Sequence, residues 1–306
     1  MVEKRQSINE VTIVGIVSEN GLEKSTYSKN GAQVNCIRGD IKIRVRQALE
    51  KGGNEVELEI PVSFFASEVT NSGTVNVAYT SLLDFMSKVK SIAQVGEEGA
   101  SWVRIAGKTG GRLEMNEYYK NDVLVSFPRV SGSFVNIITP NADTKMEAKF
   151  SVSMYVGTCK DEVDSENIET GRYIVNGVLV KWDGSADVMS FIVTNPQAIE
   201  YMKSNWETGS TVNASGKLNF STTTKVEEIE TAFGEPEYRT KTMRVSELII
   251  TSGSPALEGD FAFPDDVIEE AAKKRTDRLA ALKAKGTGND KPKAGFAEKA
   301  KKDFGF

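Results

Sequence analysis

The stretch DIKIRVRQ, residues 40–47, places a cation at every second position. Side chains of a β-strand alternate between its two faces, so Lys42, Arg44 and Arg46 would share one face. The alternate residues Ile41, Ile43 and Val45 would lie on the other face, which predicts a buried side. A strand face made of cations is suited to hold a polyanion such as the phosphate backbone of a nucleic acid.

The next segment, EVELEIPV (55–62), competes for these cations. An antiparallel hairpin would place Arg46 opposite Glu55, Arg44 opposite Glu57, and Lys42 opposite Glu59. Opposite charges that face each other across two strands stabilise a sheet, so we expect a ladder of ion pairs here. Exposed ion pairs contribute only about 1 kcal/mol or less, so a polyanion could still recruit Arg44 and Arg46.

A second group of cations lies in VRIAGKTGGR (103–112), where Lys108 and Arg112 surround three glycines. Glycines allow a phosphate to approach the backbone closely, although a hairpin turn with solvated charges would have the same composition. Gly107-Lys108 recurs as Gly216-Lys217, which adds support to the phosphate-binding interpretation and leaves the turn as the alternative.

Aromatic residues next to cations form a third group. Tyr118, Tyr119 and Tyr238 lie in polar stretches, 109–122 and 221–241, that have the composition of long hairpins. Bases of a single strand stack on such side chains with about 1–3 kcal/mol each, while nearby cations follow the backbone. Trp102, Phe127 and Trp182 also have basic neighbours, but their contexts are more typical of core residues.

The composition excludes several classes of chemistry. The sequence has no histidine and two cysteines, so Ser-His or Cys-His catalysis and a four-ligand zinc site are excluded. Neither a P-loop nor a G-x-G-x-x-G motif is present. The 43 acidic residues leave carboxylate-based metal chemistry open but form no recognisable cluster. We therefore expect a protein that is not an enzyme and needs no cofactor or metal.

The 306 residues suffice for two ordinary domains, and 39% hydrophobic with 26% charged residues is typical of a globular protein. The net charge of −5 excludes a generally basic surface, so an anion-binding site must be a local patch. The N-terminus lacks the apolar core of a signal peptide and no apolar run could span a bilayer, so we expect a cytoplasmic protein.

The elements that must position these residues follow one order twice. Each half contains three short apolar strands, an amphipathic helix, and further strands; the helices are predicted at 81–95, starting at Ser81, and at 195–206, starting at Asn195-Pro196. Val103-x-x-x-Gly107-Lys108 aligns with Val212-x-x-x-Gly216-Lys217, and residues 137–139 align with 249–251. A helix between strands three and four is the order of the OB-fold.

The sequence therefore predicts a mainly β protein of two tandem OB-fold-like barrels, each with a helix between strands three and four, and a C-terminal helical and flexible tail. We expect the first barrel at 1–140, a linker at 141–149, the second barrel at 150–253, and the tail at 254–306. Residues 263–286 have acidic residues early, basic residues late and a final glycine, which predicts a helix.

Tandem barrels followed by a tail that ends in Asp303-Phe304-Gly305-Phe306 resemble single-stranded DNA-binding proteins, particularly those of tailed bacteriophages. The resemblance implies that Asp303, Phe304 and Phe306 dock replication or recombination proteins. The chain departs from the family pattern, because Lys299, Lys301 and Lys302 stand where the family usually has acidic residues.

These observations together predict sequence-tolerant binding and protection of single-stranded DNA during replication or recombination, in host cytoplasm if phage-encoded. The residues expected to contact DNA are Arg44, Arg46, Lys108, Arg112, Tyr118, Tyr119, Arg129, Lys217, Tyr238, Arg239 and Lys241. The alternative is a non-enzymatic protein-interaction or structural module, which the acidic second half favours, since residues 146–252 carry 10 basic and 16 acidic side chains.

Overall fold

The computed structural model describes residues 5–29, 31–107, 110–229 and 237–286. Within these ranges the chain is mainly β, with thirteen strands, four α-helices and one short 3-10 helix. The predicted fold class is confirmed, and the strands close into two barrels that follow one another along the chain.

The first barrel contains eight strands and two helices. They are β1 (Asn9–Asn20), β2 (Glu23–Lys29), β3 (Ala32–Ala48), β4 (Glu55–Ser67), α1 (Val77–Lys88), α2 (Ile92–Val95), β5 (Trp102–Ile105), β6 (Gly111–Lys120), β7 (Val123–Gly132) and β8 (Asn136–Ile138). The barrel closes through the pairs β1–β3, β3–β4, β4–β7, β7–β6 and β6–β1, of which β4–β7 is parallel. This is a closed barrel with the helix after its third main strand, as in the OB-fold. The edge strand β2 was not predicted.

The second barrel repeats this order with fewer secondary-structure elements. Its elements are β9 (Glu147–Val163), β10 (Glu169–Val180), β11 (Ala186–Val193), α3 (Pro196–Asn205), β12 (Thr211–Ile229) and β13 (Glu237–Gly253), followed by a 3-10 helix (Gly259–Phe261) and α4 (Asp265–Gly286). Closure runs β9–β10–β11–β13–β12–β9, again with one parallel pair, β11–β13. Both barrels therefore have the same closed topology.

The two barrels share one sheet and one core. Their first strands pair antiparallel from Asn9 with Val152 to Val14 with Glu147, and buried residues from both halves form one contiguous cluster. The buried Gln47 side chain joins the barrels further, because its Nε2 donates to Ala148 O at 3.1 Å and its Oε1 accepts from Ala148 N at 2.9 Å. The strand β9 begins within residues 141–149, and the domain limits at this segment stay a prediction.

Helix starts follow from polar caps. The Asn195 side chain accepts a hydrogen bond from Ala198 N at 3.0 Å and Pro196 occupies the first turn, as predicted. The predicted helix 81–95 is wrong in detail: it begins earlier, at the Asn76 cap, and it breaks after Lys88. Ser91 and Gln94 form a capping box that starts α2 as a separate short helix, which explains the break.

The predicted register of the basic hairpin is wrong by two residues. Arg44 lies opposite Glu59, Arg46 opposite Glu57, and Ala48 opposite Glu55. In the observed register Gln47 pairs with Val56, and its side chain lies in the buried junction with the second barrel. Because a shift of two preserves the alternation of faces, the predicted burial of Ile41, Ile43 and Val45 is confirmed.

The alignment of the two halves also needs correction. Val11 pairs with Gly111 in the first barrel, Phe150 pairs with Gly216 in the second, and Val11 and Phe150 pair with each other. The equivalent segments are therefore 111–113 (Gly-Arg-Leu) and 216–218 (Gly-Lys-Leu), not 107–108 and 216–217. A Cβ on Gly216 would lie 1.9 Å from the carbonyl oxygen of Ile249, so only glycine fits there.

The second predicted match, residues 137–139 with 249–251, is also wrong, because the two segments pair with different strands. Ile137 pairs with Val103 on the short strand β5, whereas Ile249 pairs with Lys217. Short runs of isoleucine resemble one another in sequence, and only the strand pairing separates them.

Candidate nucleic-acid interface

The outer surface of the first barrel is a continuous strip of sheet in the order β6–β7–β4–β3. We call it the first-barrel face. Along each of these four strands, the outward side chains alternate with buried ones such as Leu113, Val130, Val62 and Ile43. The face consists of residues 38, 40, 42, 44 and 46 of β3, 57, 59, 61, 63 and 65 of β4, 112, 114, 116 and 118 of β6, and 125, 127, 129 and 131 of β7.

Ion pairs hold the arginines of β3, as the sequence predicts. Arg44 Nε lies 3.3 Å from Glu57 Oε1, and Arg46 Nε lies 3.1 Å from Glu57 Oε2. Both guanidinium groups also reach Glu97, at 3.2 Å and 2.9 Å. The Arg46 side chain stays 43% exposed, and its hydrogen bonds to Glu57 and Glu97 raise its pKa further, so it remains a cation. A ligand would have to compete with two carboxylates for it.

Lys42 takes a different partner from the predicted one. Its Nζ lies 2.6 Å from Glu19 Oε2, on the neighbouring strand β1. Glu59, the predicted partner, accepts a hydrogen bond from Ser18 Oγ at 2.8 Å. The two-residue shift of the hairpin register accounts for this exchange.

On the hairpin of β6 and β7, one carboxylate bridges two arginines. Arg112 Nε lies 2.7 Å from Glu114 Oε1, and Arg129 Nη2 lies 3.0 Å from Glu114 Oε2. Burial acts to raise the pKa of Glu114, but the hydrogen bonds and charges of Arg112 and Arg129 outweigh it and lower that pKa. Two cations share one anion, so this group carries a net positive charge.

Two pairs of aromatic rings lie on the same barrel surface. Tyr118 and Phe127 meet edge to face at 6.4 Å and are 41% and 39% exposed. Tyr27 of β2 and Phe65 of β4 meet at 5.4 Å, and Phe65 is 60% exposed. The sequence-based prediction does not include Tyr27 or Phe65, and it places Phe127 in the core. The alternation in β4 could have found Phe65, since it continues the outward series of Glu57 and Glu59.

Tyr119 points away from this surface. It lies on the opposite side of β6 from Tyr118, and the ammonium group of Lys283 on α4 lies 5.9 Å from its ring centroid. Its predicted role in stacking stays a prediction. Tyr118 has the more accessible ring of the two.

The outer surface of the second barrel on β10 and β11, the strands equivalent to β3 and β4, differs from the first-barrel face. We call it the second-barrel face: the outward residues 174, 176, 178 and 180 of β10 and 186, 188, 190 and 192 of β11. All of them are uncharged, and none is aromatic. Helix α4 covers one end, where Phe263 and Ala271 pack with Val180 and Ala186 in a small separate apolar cluster.

Buried ion pairs fasten α4 to both barrels. Arg275 and Arg278 each donate to Glu117 of β6, at 2.5 Å and 2.6 Å. Arg278 and Lys181 reach Asp187 of β11, at 3.2 Å and 3.3 Å. The side chains of Glu117 and Asp187 are 1% and 2% exposed, so α4 neutralises two carboxylates that water does not reach.

The other predicted residues lie in several places. Lys217 is on β12, near the junction of the barrels, and donates to the carbonyl oxygen of Ala48. Tyr238, Arg239 and Lys241 lie on β13, where their backbones pair with residues 228, 227 and 225 of β12. Lys108 and the tail residues Asp303, Phe304 and Phe306 lie outside the described residues.

Comparison with known proteins agrees with this fold. Residues 7–285 match the YorF family, and the chain belongs to that family. Among solved structures, the wild-type single-stranded DNA-binding protein of Thermus aquaticus is similar with a TM-score of 0.51 at 10% identity, over 86% of this chain and 99% of that one.

A deletion variant of the same Thermus protein gives a TM-score of 0.48 at 11% identity, over 85% of this chain and 98% of that one. No curated protein matches the sequence. None of the helices in the described ranges is long and apolar enough to cross a membrane.

Proposed function

We propose that this protein binds single-stranded DNA on the first-barrel face, without enzymatic activity. One observation carries the proposal: exposed arginines and the exposed rings of Phe65, Tyr118 and Phe127 lie together on the strands and the hairpin that OB-folds use to hold oligonucleotides. Cations that follow a backbone beside rings that stack bases are the general means of binding a single strand. The Thermus likeness supports the fold on which this surface is built.

In this proposal, Arg44, Arg46, Arg112 and Arg129 contact phosphates, and the exposed rings of the first barrel stack bases. Phosphate contacts and ring stacking do not depend on which base is present, so binding would tolerate many sequences. Because the phosphate contacts are electrostatic, binding would weaken as the salt concentration rises. The remaining predicted contacts, Lys108, Lys217, Tyr119, Tyr238, Arg239 and Lys241, belong to the proposal as secondary sites. A role in replication or recombination, with partners docking on Asp303, Phe304 and Phe306, rests on the sequence resemblance.

A second candidate is a protein-interaction module, which the uncharged second-barrel face favours. The two functions differ in their ligand. A fluorescence-anisotropy titration with a labelled oligothymidine of about thirty nucleotides, beside a duplex of the same length, separates them. We expect tight binding of the single strand that weakens as salt rises and a clear preference over the duplex. Absence of binding at low salt would overturn the proposal.

A further inference from the structure

An open cleft of 540 Å³ lies where the two barrels meet. Its volume is in the range of sites that hold small ligands. Its walls come from β3, the start of β4, β5, the segment before β9, β9 itself and β12. The lining residues that bear on binding are Arg46, Trp102, Lys145, Met146, Lys149 and Lys217.

The charge of this cleft is positive in a chain that is negative overall. Four cations line it, against the two carboxylates of Glu55 and Glu147. Lys149 pairs with Glu147 at 2.7 Å. Within the described residues Lys145 has no ion-pair partner, and the hydrogen bond of Lys217 goes to a neutral backbone carbonyl. Two ammonium groups therefore line the cleft without an ion-pair partner among the described residues, beside the single remaining carboxylate of Glu55.

The cleft continues the first-barrel face. Arg46 belongs to both, since its side chain lies on the outward side of β3 and also lines the cleft. The backbone N–H of Arg46 contacts Met146 Sδ at 3.4 Å, and the half-buried Trp102 forms part of the apolar wall. Lys217 is the structural counterpart of Arg112, because both follow the equivalent glycines of the two barrels.

We propose that this cleft binds consecutive phosphates of a single strand as the strand leaves the first-barrel face at Arg46 and passes to the second barrel. Lys145 and Lys217 are the phosphate ligands, and Trp102 lines the path. The inference rests on the proposed function for its natural ligand. The chemistry of the site, two unmatched ammonium groups beside an arginine, also predicts binding of an inorganic polyphosphate.

The first test compares K145Q/K217Q with K90Q/K160Q, which removes two exposed cations that do not line the cleft. Each phosphate contact contributes about 0.7 to the salt slope of single-strand binding, so K145Q/K217Q should lower that slope by about 1.4. The control pair should change it by much less. K145Q alone, which removes no hydrogen bond of the described fold, should lower it by about 0.7.

The second test uses tripolyphosphate and tryptophan fluorescence in a W182F background, which removes the most exposed of the three tryptophans. Trp102 then reports on the cleft, while Trp206 is buried. We expect the Trp102 fluorescence to change with added tripolyphosphate until it saturates. This change should be absent in K145Q/K217Q. If K145Q/K217Q leaves the salt slope unchanged, or if tripolyphosphate leaves the fluorescence unchanged, the proposal that this cleft binds phosphates is overturned. If oligothymidine fails to bind while tripolyphosphate still binds, the proposed function fails and the anion site stands.

Discussion

The two barrels have the same strand order, but their outer surfaces differ between β3–β4 of the first barrel and the equivalent strands β10–β11 of the second. The first-barrel face carries arginines, carboxylates and exposed rings, whereas the second-barrel face has uncharged, mostly apolar residues and lies partly under α4. A fold fixes where strands run, and the side chains on its surface decide what it binds. The comparison predicts that the two barrels make unequal contributions to binding: the first provides most of the contacts, and α4 covers part of the second-barrel face.

The largest expected effect comes from loosening α4. The double substitution R275A/R278A leaves the buried carboxylate of Glu117 without the two cations that pair with it, and leaves Asp187 with Lys181. Removing one side of a buried ion pair costs about 3–5 kcal/mol, so urea unfolding should show a loss of that size. The second-barrel face has no cations even when α4 no longer covers it. An oligothymidine titration should therefore give the same number of bound strands per chain for R275A/R278A as for the unsubstituted protein.

The control for this prediction is K273A, on an exposed position of the same helix. It should change the free energy of unfolding by no more than about 0.5 kcal/mol. An additional binding site in R275A/R278A would show that the two faces are equivalent, contrary to the comparison.

A smaller effect is expected from the exposed rings. Y118A and F127A should each weaken binding of oligothymidine by about 1–3 kcal/mol, because each removes a surface on which a base stacks. Y201A is the matched control, since Tyr201 lies on α3 of the second barrel and is 42% exposed, against 41% for Tyr118. Anisotropy titrations measure all three. Equal losses in Y118A and Y201A would contradict an assignment of binding to the first barrel.

The smallest effect concerns the carboxylate that bridges Arg112 and Arg129. E114Q frees both cations and should tighten binding at pH 7 by up to about 1 kcal/mol. E207Q makes the same charge change at an exposed site of the second barrel and should have less effect. A tighter complex in E207Q than in E114Q would argue against binding on the first-barrel face.

The same carboxylate gives a pH dependence. Since the pKa of Glu114 in the folded state lies below its ordinary 4.5, its ion pairs stabilise the protein above pH 4.5 and are lost as the pH falls through the lowered value. Unfolding measured between about pH 2 and 5 should therefore show a smaller loss of stability in E114Q than in the unsubstituted protein. Identical curves would show that the two ion pairs contribute nothing to stability.

Features that depend on neighbours along the chain could be predicted from the amino-acid sequence. Alternation in residues 40–47 predicted the buried side of β3, Asn195-Pro196 predicted the start of α3, and the acidic-to-basic gradient predicted α4. The repeated order of strands and helix predicted two OB-like barrels. These properties arise from the period of a strand or helix and from local hydrogen bonds, so a window of a few residues contains them.

The folding of the whole chain fixes which distant residues meet. It set the register that pairs Arg46 with Glu57, aligned Gly111 with Gly216, brought Arg46 and Lys217 to one cleft, and laid α4 over the second-barrel face. Each of these depends on the closure of the barrels and on the pairing of β1 with β9. Contacts between segments so far apart in the chain leave no periodic signal in the sequence, because many registers satisfy the same alternation and only packing selects among them.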